Sequence, residues 1–243
     1  MTPKGGGPVA EARDTAIRAI VLDFNGTLAQ DDHLVAPLYV DGFASVGVAL
    51  TVEEYHRDFA ALPDREVFEL AIRRAGMPFD AARLDALVQA RLDGYMAAVA
   101  GDPPIAAHAI EFVCAAADRV ALAVASGAFR REIEHVLAAA GVRQHFQAVV
   151  AIDDVRRGKP DPEGFRRALA ELNAVTGADP AIEPDQVVAV EDATGGAQAA
   201  LAAGMRVAAI RGLGYDPASG YADVVNERLD LRALELILGT GAA

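Results

Sequence analysis

The sequence predicts an α/β protein: a doubly wound parallel sheet with an all-helical segment inserted after the first strand. Three observations carry this. Short apolar runs recur at residues 16–23, 120–125, 148–152, 186–190 and 206–210. Helical patterns separate the later runs, and between the first and second runs roughly 70 residues show helical periodicity without a convincing strand. Strands that alternate with helices pair in parallel, because the crossover is too long for a hairpin, and they are buried on both faces.

Residues 1–15 contain Gly, Pro and charge but no apolar signal-peptide core, and read as a frayed, disordered leader. The run AIRAIVLD over 16–23 is apolar and β-branched and stops at Asn25-Gly26-Thr27, as a buried parallel strand does. In the inserted segment, Thr51-Val52-Glu53-Glu54 is a capping-box pattern and Gly76-Met77-Pro78 separates two helices. The stretch 80–99 carries Leu84, Leu87, Val88, Leu92 and Tyr95 at helical spacing, which is read as core packing. Further helices are predicted over 105–117, over 129–140 ending at Gly141, over 162–172, and over 195–203 ending at Gly204. The predicted organisation is a core domain formed by 16–34 and 105–243, with a helical domain at 35–104.

Hydrophobic residues make up 53% of the 243, but no apolar run approaches the ~20 residues of a membrane span. With no export signal in view, a soluble cytoplasmic protein is expected. The single cysteine, Cys114, has no internal disulfide partner, and in AIEFVCAAA it reads as a packed thiol. A net charge of −13 opposes sequence-independent binding to nucleic acid or anionic membrane, since Lys and Arg drive that binding. A small ligand held with a metal ion remains compatible. A monomer is expected, because closure between two domains requires free relative motion.

Ligands of parallel sheets bind beyond the carboxyl ends of the strands. Four such positions carry chemistry: Asp23-Phe24-Asn25-Gly26-Thr27-Leu28 after the first strand, Ser126-Gly127 after the second, Gly158-Lys159-Pro160 after the third and Glu191-Asp192 after the fourth. Taken singly, each is an ordinary turn or solvated acidic pair. In this order and context they resemble the signature motifs of the haloacid dehalogenase superfamily, over about residues 17–213. The stretches AVASGAFRREIEHVLAAAG, VVAIDDVRRGKPDPEGFRRAL and VAVEDATGGAQAALAAGM are similar to the subgroup of phosphoglycolate phosphatases and β-phosphoglucomutase, which carries a helical cap between the first two motifs. The resemblance implies a Mg²⁺-dependent hydrolase of a small phosphorylated metabolite.

The chemistry of the residue types agrees. Asp23 supplies an oxygen nucleophile that would carry the phosphoryl group. Mg²⁺ is usually held by one or two carboxylates with waters and substrate oxygens, which suits Asp23 and Asp192, with Glu191 as a direct or outer ligand. Lys159 is a point charge for neutralising the phosphoryl group and restraining Asp23. Ser126, Thr27 and backbone N–H groups are donors to its oxygens, and Gly26 and Gly127 would allow close backbone approach.

One position departs from the pattern. Phosphatases of this type usually carry a second aspartate two residues after the nucleophile as acid and base, and here that position is Asn25. An amide has no proton to exchange near neutral pH, and such help is worth typically about 10²–10⁴-fold. The resemblance also implies that the Asn25 backbone carbonyl binds the metal, which an amide side chain leaves possible. Asn25 is compatible with a natural enzyme using another group or a good leaving group, with an engineered trap, or with a protein that binds phosphate esters without turnover. Phosphonate hydrolysis and dehalogenation, which lack this aspartate, stay open, as does a phosphomutase. The absence of lysine from 35–104 argues against the first, the set Lys159, Glu191 and Asp192 against the second, and Asn25 against the third. A receiver domain shares the Asp, Lys and Mg²⁺ logic, but it is about half this length and lacks the insertion.

The family often reads Asp-Ser or Asp-Thr where this chain has Gln30-Asp31-Asp32, which alters the hinge. His33 stands beside it. In the insertion, Tyr55, His56, Asp58 and Arg65 flank the turn Leu62-Pro63-Asp64, where cap loops of this subgroup read substrate, although a solvated helix start explains Arg65 equally well. Arg130 and Arg131 fit a solvated helix face with Glu132 and Glu134.

Overall fold

The apolar run at the start of the chain forms β1 (Ala19–Leu22), the centre of a six-stranded parallel sheet. The computed structural model describes residues 16–60, 62–78, 80–211 and 218–239, so the leader expected over 1–15 lies outside the described residues. After β1 come four consecutive helices, α1 (Asp32–Ser45), α2 (Val52–Asp58), α3 (Asp64–Arg74) and α4 (Ala81–Ala98). The chain then alternates: α5 (Ala107–Ala117), β2 (Ala121–Ala125), α6 (Arg130–Ala139), β3 (Ala148–Val150), α7 (Glu163–Thr176), β4 (Val187–Glu191), α8 (Thr194–Ala202), β5 (Arg206–Ile210), β6 (Val224–Asn226) and α9 (Leu231–Gly239).

The strand order is β3-β2-β1-β4-β5-β6. Leu22 lies level with Val124 of β2 and Val190 of β4, so the chain leaves all three strands at one edge. Both faces of the sheet are covered, and side chains alternate between them. Ile20, Leu22, Val124, Val188 and Val190 point to the side of α5, α6 and α9. Ala19, Val21, Ala123, Ala125 and Ala189 point to the side of α7 and α8. The alanines on that second face let Phe165 of α7 and the small residues Ala197, Ala199 and Ala200 of α8 pack close to the strands.

The helical insertion starts at Asp32. The capping box is formed: Thr51 Oγ1 accepts from the Glu54 N–H at 3.1 Å, and Glu54 Oε2 accepts from the Thr51 N–H at 2.9 Å. Its core is aromatic, with Tyr39 of α1 stacked on Tyr55 of α2 at 4.7 Å and Phe43 edge-on to Phe59 at 5.1 Å. The two connections to the sheet run side by side, the Gln30 N–H donating to Pro104 O at 2.7 Å.

Several expectations change. Cys114 is exposed, because the buried stripe of α5 runs through Ala109, Phe112, Val113 and Ala116 and leaves position 114 outside it. Glu132, expected on a solvated face, is buried at the start of α6, where it accepts from the Phe129 N–H at 3.0 Å and pairs with Arg91 of α4. α7 runs on past residue 172 to Thr176 and stops at Gly177, whose φ of 60° is the left-handed conformation that ends a helix. β6 and α9 go beyond the expectation; β6 has only three residues and α9 shows its buried stripe, Ala233, Leu234 and Ile237, only in nine. Among the described residues, no helix is long and apolar enough to cross a membrane.

Phe165 is fully buried and its ring lies 5.3 Å from Lys159 Nζ. Phe165→Ala should therefore lower unfolding free energy by about 3–5 kcal/mol, read as a lower urea midpoint at unchanged slope.

Candidate active site

Asp23 is held at the strand edge by the ladder itself: its N–H donates to Val190 O of β4 at 2.9 Å. Glu191 is the last residue of β4, so the same register that seats Asp23 brings Glu191 and Asp192 beside it. One oxygen from each of Asp23, Glu191 and Asp192 lies within 4.8 Å of the others. Asp23 and Glu191 are buried and Asp192 is half-buried.

Lys159 enters from the loop between β3 and α7. Its Nζ donates to Asp23 Oδ1 at 2.5 Å and to Glu191 Oε1 at 2.5 Å. Burial works against the ammonium charge, but the two carboxylates outweigh it and hold the Lys159 pKa above the ordinary lysine value. Burial raises Glu191 well above the usual carboxylate range, against the pull of Lys159 and with repulsion from Asp23 and Asp192. Asp192 is pushed up to about 7, first by burial and then by Asp23. One ammonium thus faces three carboxylates, and the surplus negative charge fits a small divalent cation.

The backbone is shaped for this cluster. Gly26 has φ +76°, and a Cβ there would lie 2.1 Å from Asp192 Oδ2. A Cβ on Gly196 would lie 2.1 Å from the Glu191 carboxylate carbon and both its oxygens. Gly196 was not foreseen. Its signal was a Gly-Gly pair in the first turn of an Ala-rich helix, where glycine is otherwise unfavourable by roughly 1 kcal/mol. Gly127, by contrast, has no described residue within 4 Å of a Cβ, so no contact among the described residues requires glycine there.

The remaining predicted residues surround the cluster. Thr27 is buried, and its hydroxyl donates to Asp192 Oδ1 at 3.5 Å, restraining a carboxylate of the cluster. The Ser126 N–H continues the sheet ladder to Val150 O at 3.0 Å, and its Oγ accepts from the Ala128 N–H at 3.2 Å. Ser126, Gly127, Ile152, Arg157, Gly158 and Lys159 line one cleft. Asn25 is half-buried, and its Nδ2 donates to Asp31 Oδ2 at 2.6 Å. Burial, partly offset by the hydroxyl of Tyr95 and the amide of Asn25, pushes Asp31 up to about 6.

The insertion reaches this edge through the turn 62–64: Pro63 Cγ lies 3.9 Å from where a Gly158 Cβ would stand. Asp64 of that turn accepts from the Tyr39 hydroxyl at 2.5 Å and lies 3.4 Å from Arg91 Nε. The flanking residues are not gathered there. Arg65 pairs with Asp85 at 2.6 Å, both exposed. Asp58 pairs with Arg57 at 2.8 Å, and Tyr55 is in the aromatic core. His56 is buried 3.2 Å from Asp32, and His33 is exposed. Arg130 is tied to Asp154 Oδ2 at 2.5 Å and to Val149 O at 2.7 Å, so it braces the loop after β3 rather than forming a solvated face.

Comparison with known proteins matches residues 17–204 to the family described as haloacid dehalogenase-like hydrolase. The chain is 28% identical over 189 residues to a phosphorylated carbohydrates phosphatase of Thermotoga maritima, covering 78% of this chain and 82% of the relative. It is 30% identical over 190 residues to the validoxylamine A 7'-phosphate phosphatase of Streptomyces hygroscopicus subsp. limoneus, covering 77% and 83%. Among solved structures, a variant of CbbY from Rhodobacter sphaeroides in complex with xylulose-(1,5)bisphosphate is similar at a TM-score of 0.76 and 26% identity, over 90% of this chain and 99% of that one.

Two outcomes follow from the geometry. Gly196→Ala should displace the Glu191 carboxylate and weaken the affinity of the acid cluster for a divalent cation roughly 10- to 100-fold, measured by titration calorimetry. Asp192 binds its proton more tightly folded than unfolded, so its contribution to stability is fully present below its unfolded pKa of 3.8 and is lost as pH rises toward about 7. In scans from about pH 5 to about pH 8, the metal-free protein should lose more Tm than Asp192→Asn does, and Mg²⁺ should raise Tm more at the alkaline end, because the ion competes with protons for the carboxylates.

Proposed function

The chain belongs to the haloacid dehalogenase-like hydrolase family, and within that family we propose that it is a Mg²⁺-dependent phosphatase of small phosphorylated metabolites that carries the phosphoryl group on Asp23. The observation that supports this best is the Asp23 carboxylate itself, buried at the sheet edge and touched by Lys159 at 2.5 Å within a cluster of acids. The relatives support the substrate class, being named for phosphorylated carbohydrates and for validoxylamine A 7'-phosphate.

In this reading Asp23, Asp192 and Glu191, with the Asn25 backbone carbonyl, would hold Mg²⁺, which when bound neutralises charge on the phosphoryl oxygens. Lys159 holds the nucleophilic oxygen in place and offers its charge to the same oxygens. Ser126 and Gly127 line the cleft the phosphoryl group would enter. An Asp23 oxygen forms a bond to phosphorus as the ester P–O bond breaks, and the leaving oxygen takes its proton from water. Water then attacks the same phosphorus, releasing inorganic phosphate and regenerating Asp23. Helices α1–α4 act as a cap, with the turn 62–64 closing beside the Lys159 loop and excluding solvent. The enzyme is read as cytoplasmic, in keeping with its single cysteine, and as a monomer, because closure of the cap requires free relative motion.

Because Asn25 exchanges no proton, esters with good leaving groups are the favoured substrates. With Mg²⁺ present, Asp23→Ala should abolish turnover of p-nitrophenyl phosphate, and retained turnover would overturn the mechanism. Asn25→Asp places two carboxyls together with Asp31, one of which keeps its proton near neutral pH. That variant should raise turnover of sugar phosphates by up to about 10²–10⁴-fold and of p-nitrophenyl phosphate far less.

A further inference from the structure

Asp31 sits at the N-cap of α1, where an aspartate normally accepts from the N–H of the first turn. It makes no such bond. Its side chain is turned away from its own helix, is fully buried, and accepts two short hydrogen bonds on one oxygen: Asn25 Nδ2 at 2.6 Å and Tyr95 Oη at 2.6 Å. The other oxygen, Oδ1, is buried and has no hydrogen-bond partner among the described residues. Forgoing the cap and burying a carboxylate are both unfavourable, so this arrangement is not explained by the stability of α1.

The two donors come from different parts of the molecule. Asn25 belongs to the loop that follows the nucleophile. Tyr95 belongs to α4, and one turn before it on the same helix face Arg91 pairs with the buried Glu132 of α6. One face of α4 therefore touches the core at two places, the start of α6 and, through Asp31, the loop carrying Asn25. A carboxylate offers acceptors only, so it fixes which way the Asn25 amide lies: nitrogen toward Asp31, carbonyl oxygen away from it. That oxygen has no partner among the described residues.

We propose that Asp31 and Tyr95 are positioning residues: Asp31 orients the Asn25 amide so that its carbonyl oxygen is presented as an acceptor that aligns the attacking water, and Tyr95 makes this orientation depend on the seating of α4. The proposal rests on the hydrolytic reading given above. Asn25 then orients water without taking its proton, and the assembly is complete only when α4 is in contact with the core. A misplacement of about 1 Å at such a point costs about 10²-fold.

The test uses the full chain with Mg²⁺ and p-nitrophenyl phosphate. Asp31→Ala should lower kcat by roughly 10- to 100-fold and KM in parallel, leaving kcat/KM nearly unchanged, and should produce a burst of p-nitrophenol as the phosphorylated enzyme accumulates. Tyr95→Phe should lower kcat about 2- to 10-fold. Asp31→Asn should recover most of the Asp31→Ala loss, because both bonds fall on one oxygen and an amide oxygen accepts two. If Asp31→Ala lowers Tm but leaves kcat unchanged, or if Asp31→Asn is as impaired as Asp31→Ala, positioning is overturned. A measurement independent of turnover separates this from failure of the phosphatase reading. In ¹⁵N spectra, one Asn25 side-chain proton should be shifted downfield and slow to exchange in the wild type and in Asp31→Asn, and not in Asp31→Ala. Identical Asn25 signals in all three would overturn the proposal even in an active enzyme.

Discussion

Lys159 Nζ lies 2.5 Å from both Asp23 Oδ1 and Glu191 Oε1, a cation shared between two buried carboxylates at the edge of a parallel sheet. Taking these groups out of water is unfavourable unless each charge is paired and hydrogen-bonded. Burial first, and then the mutual repulsion of acids that one ammonium only partly balances, raises Glu191 and Asp192 above ordinary carboxylates. A cluster left short of positive charge in this way suits capture of a divalent cation, and removing Lys159 would leave two acids without their shared partner.

The neighbouring sheet follows from the same demand. Asp23 and Glu191 meet because β1 and β4 are adjacent and parallel, with Leu22 level with Val190. Gly26 and Gly196 stand where a Cβ would occupy the space of the Asp192 and Glu191 carboxylates. The helix after β4 consequently carries Gly196 in its first turn, unfavourable locally and required by the Glu191 carboxylate beside it. Lys159 reaches the cluster over the ring of Phe165, itself packed against the alanine-lined face of the sheet. Small residues in this fold thus serve close packing on one face and the acid cluster at the edge.

The helical insertion is joined to this centre through charge as well as apolar contact. Arg91 is buried between Asp64 of the insertion and Glu132 of the core, with the rings of Tyr39 and Tyr95 at 5.4 and 5.5 Å. Such a network is sensitive to how the two parts are seated, because separating them would expose or strand a charge. It also accounts for Glu132, which in sequence resembles its solvated neighbours on α6 and in the fold is the partner of a residue 41 positions away.

The alternation of apolar runs with helical patterns, the capping box at Thr51 and the order of the four strand-end motifs were legible in the chain itself, because strand burial, helix capping and the turn after a strand are local and leave a local pattern. That legibility extended to the fold class, to the family and to the meeting of Asp23, Lys159, Glu191 and Asp192 at one edge of the sheet. It ended where partners lie far apart in sequence. That Cys114 faces solvent, that Glu132 is buried, that Gly196 makes room for Glu191 and that Asp31 leaves its helix uncapped and accepts instead from Asn25 and Tyr95 were decided by the tertiary structure, since each depends on how the elements come together. Spacing along a chain encodes the face of a helix or strand, but the group that meets that face is set only when the elements pack.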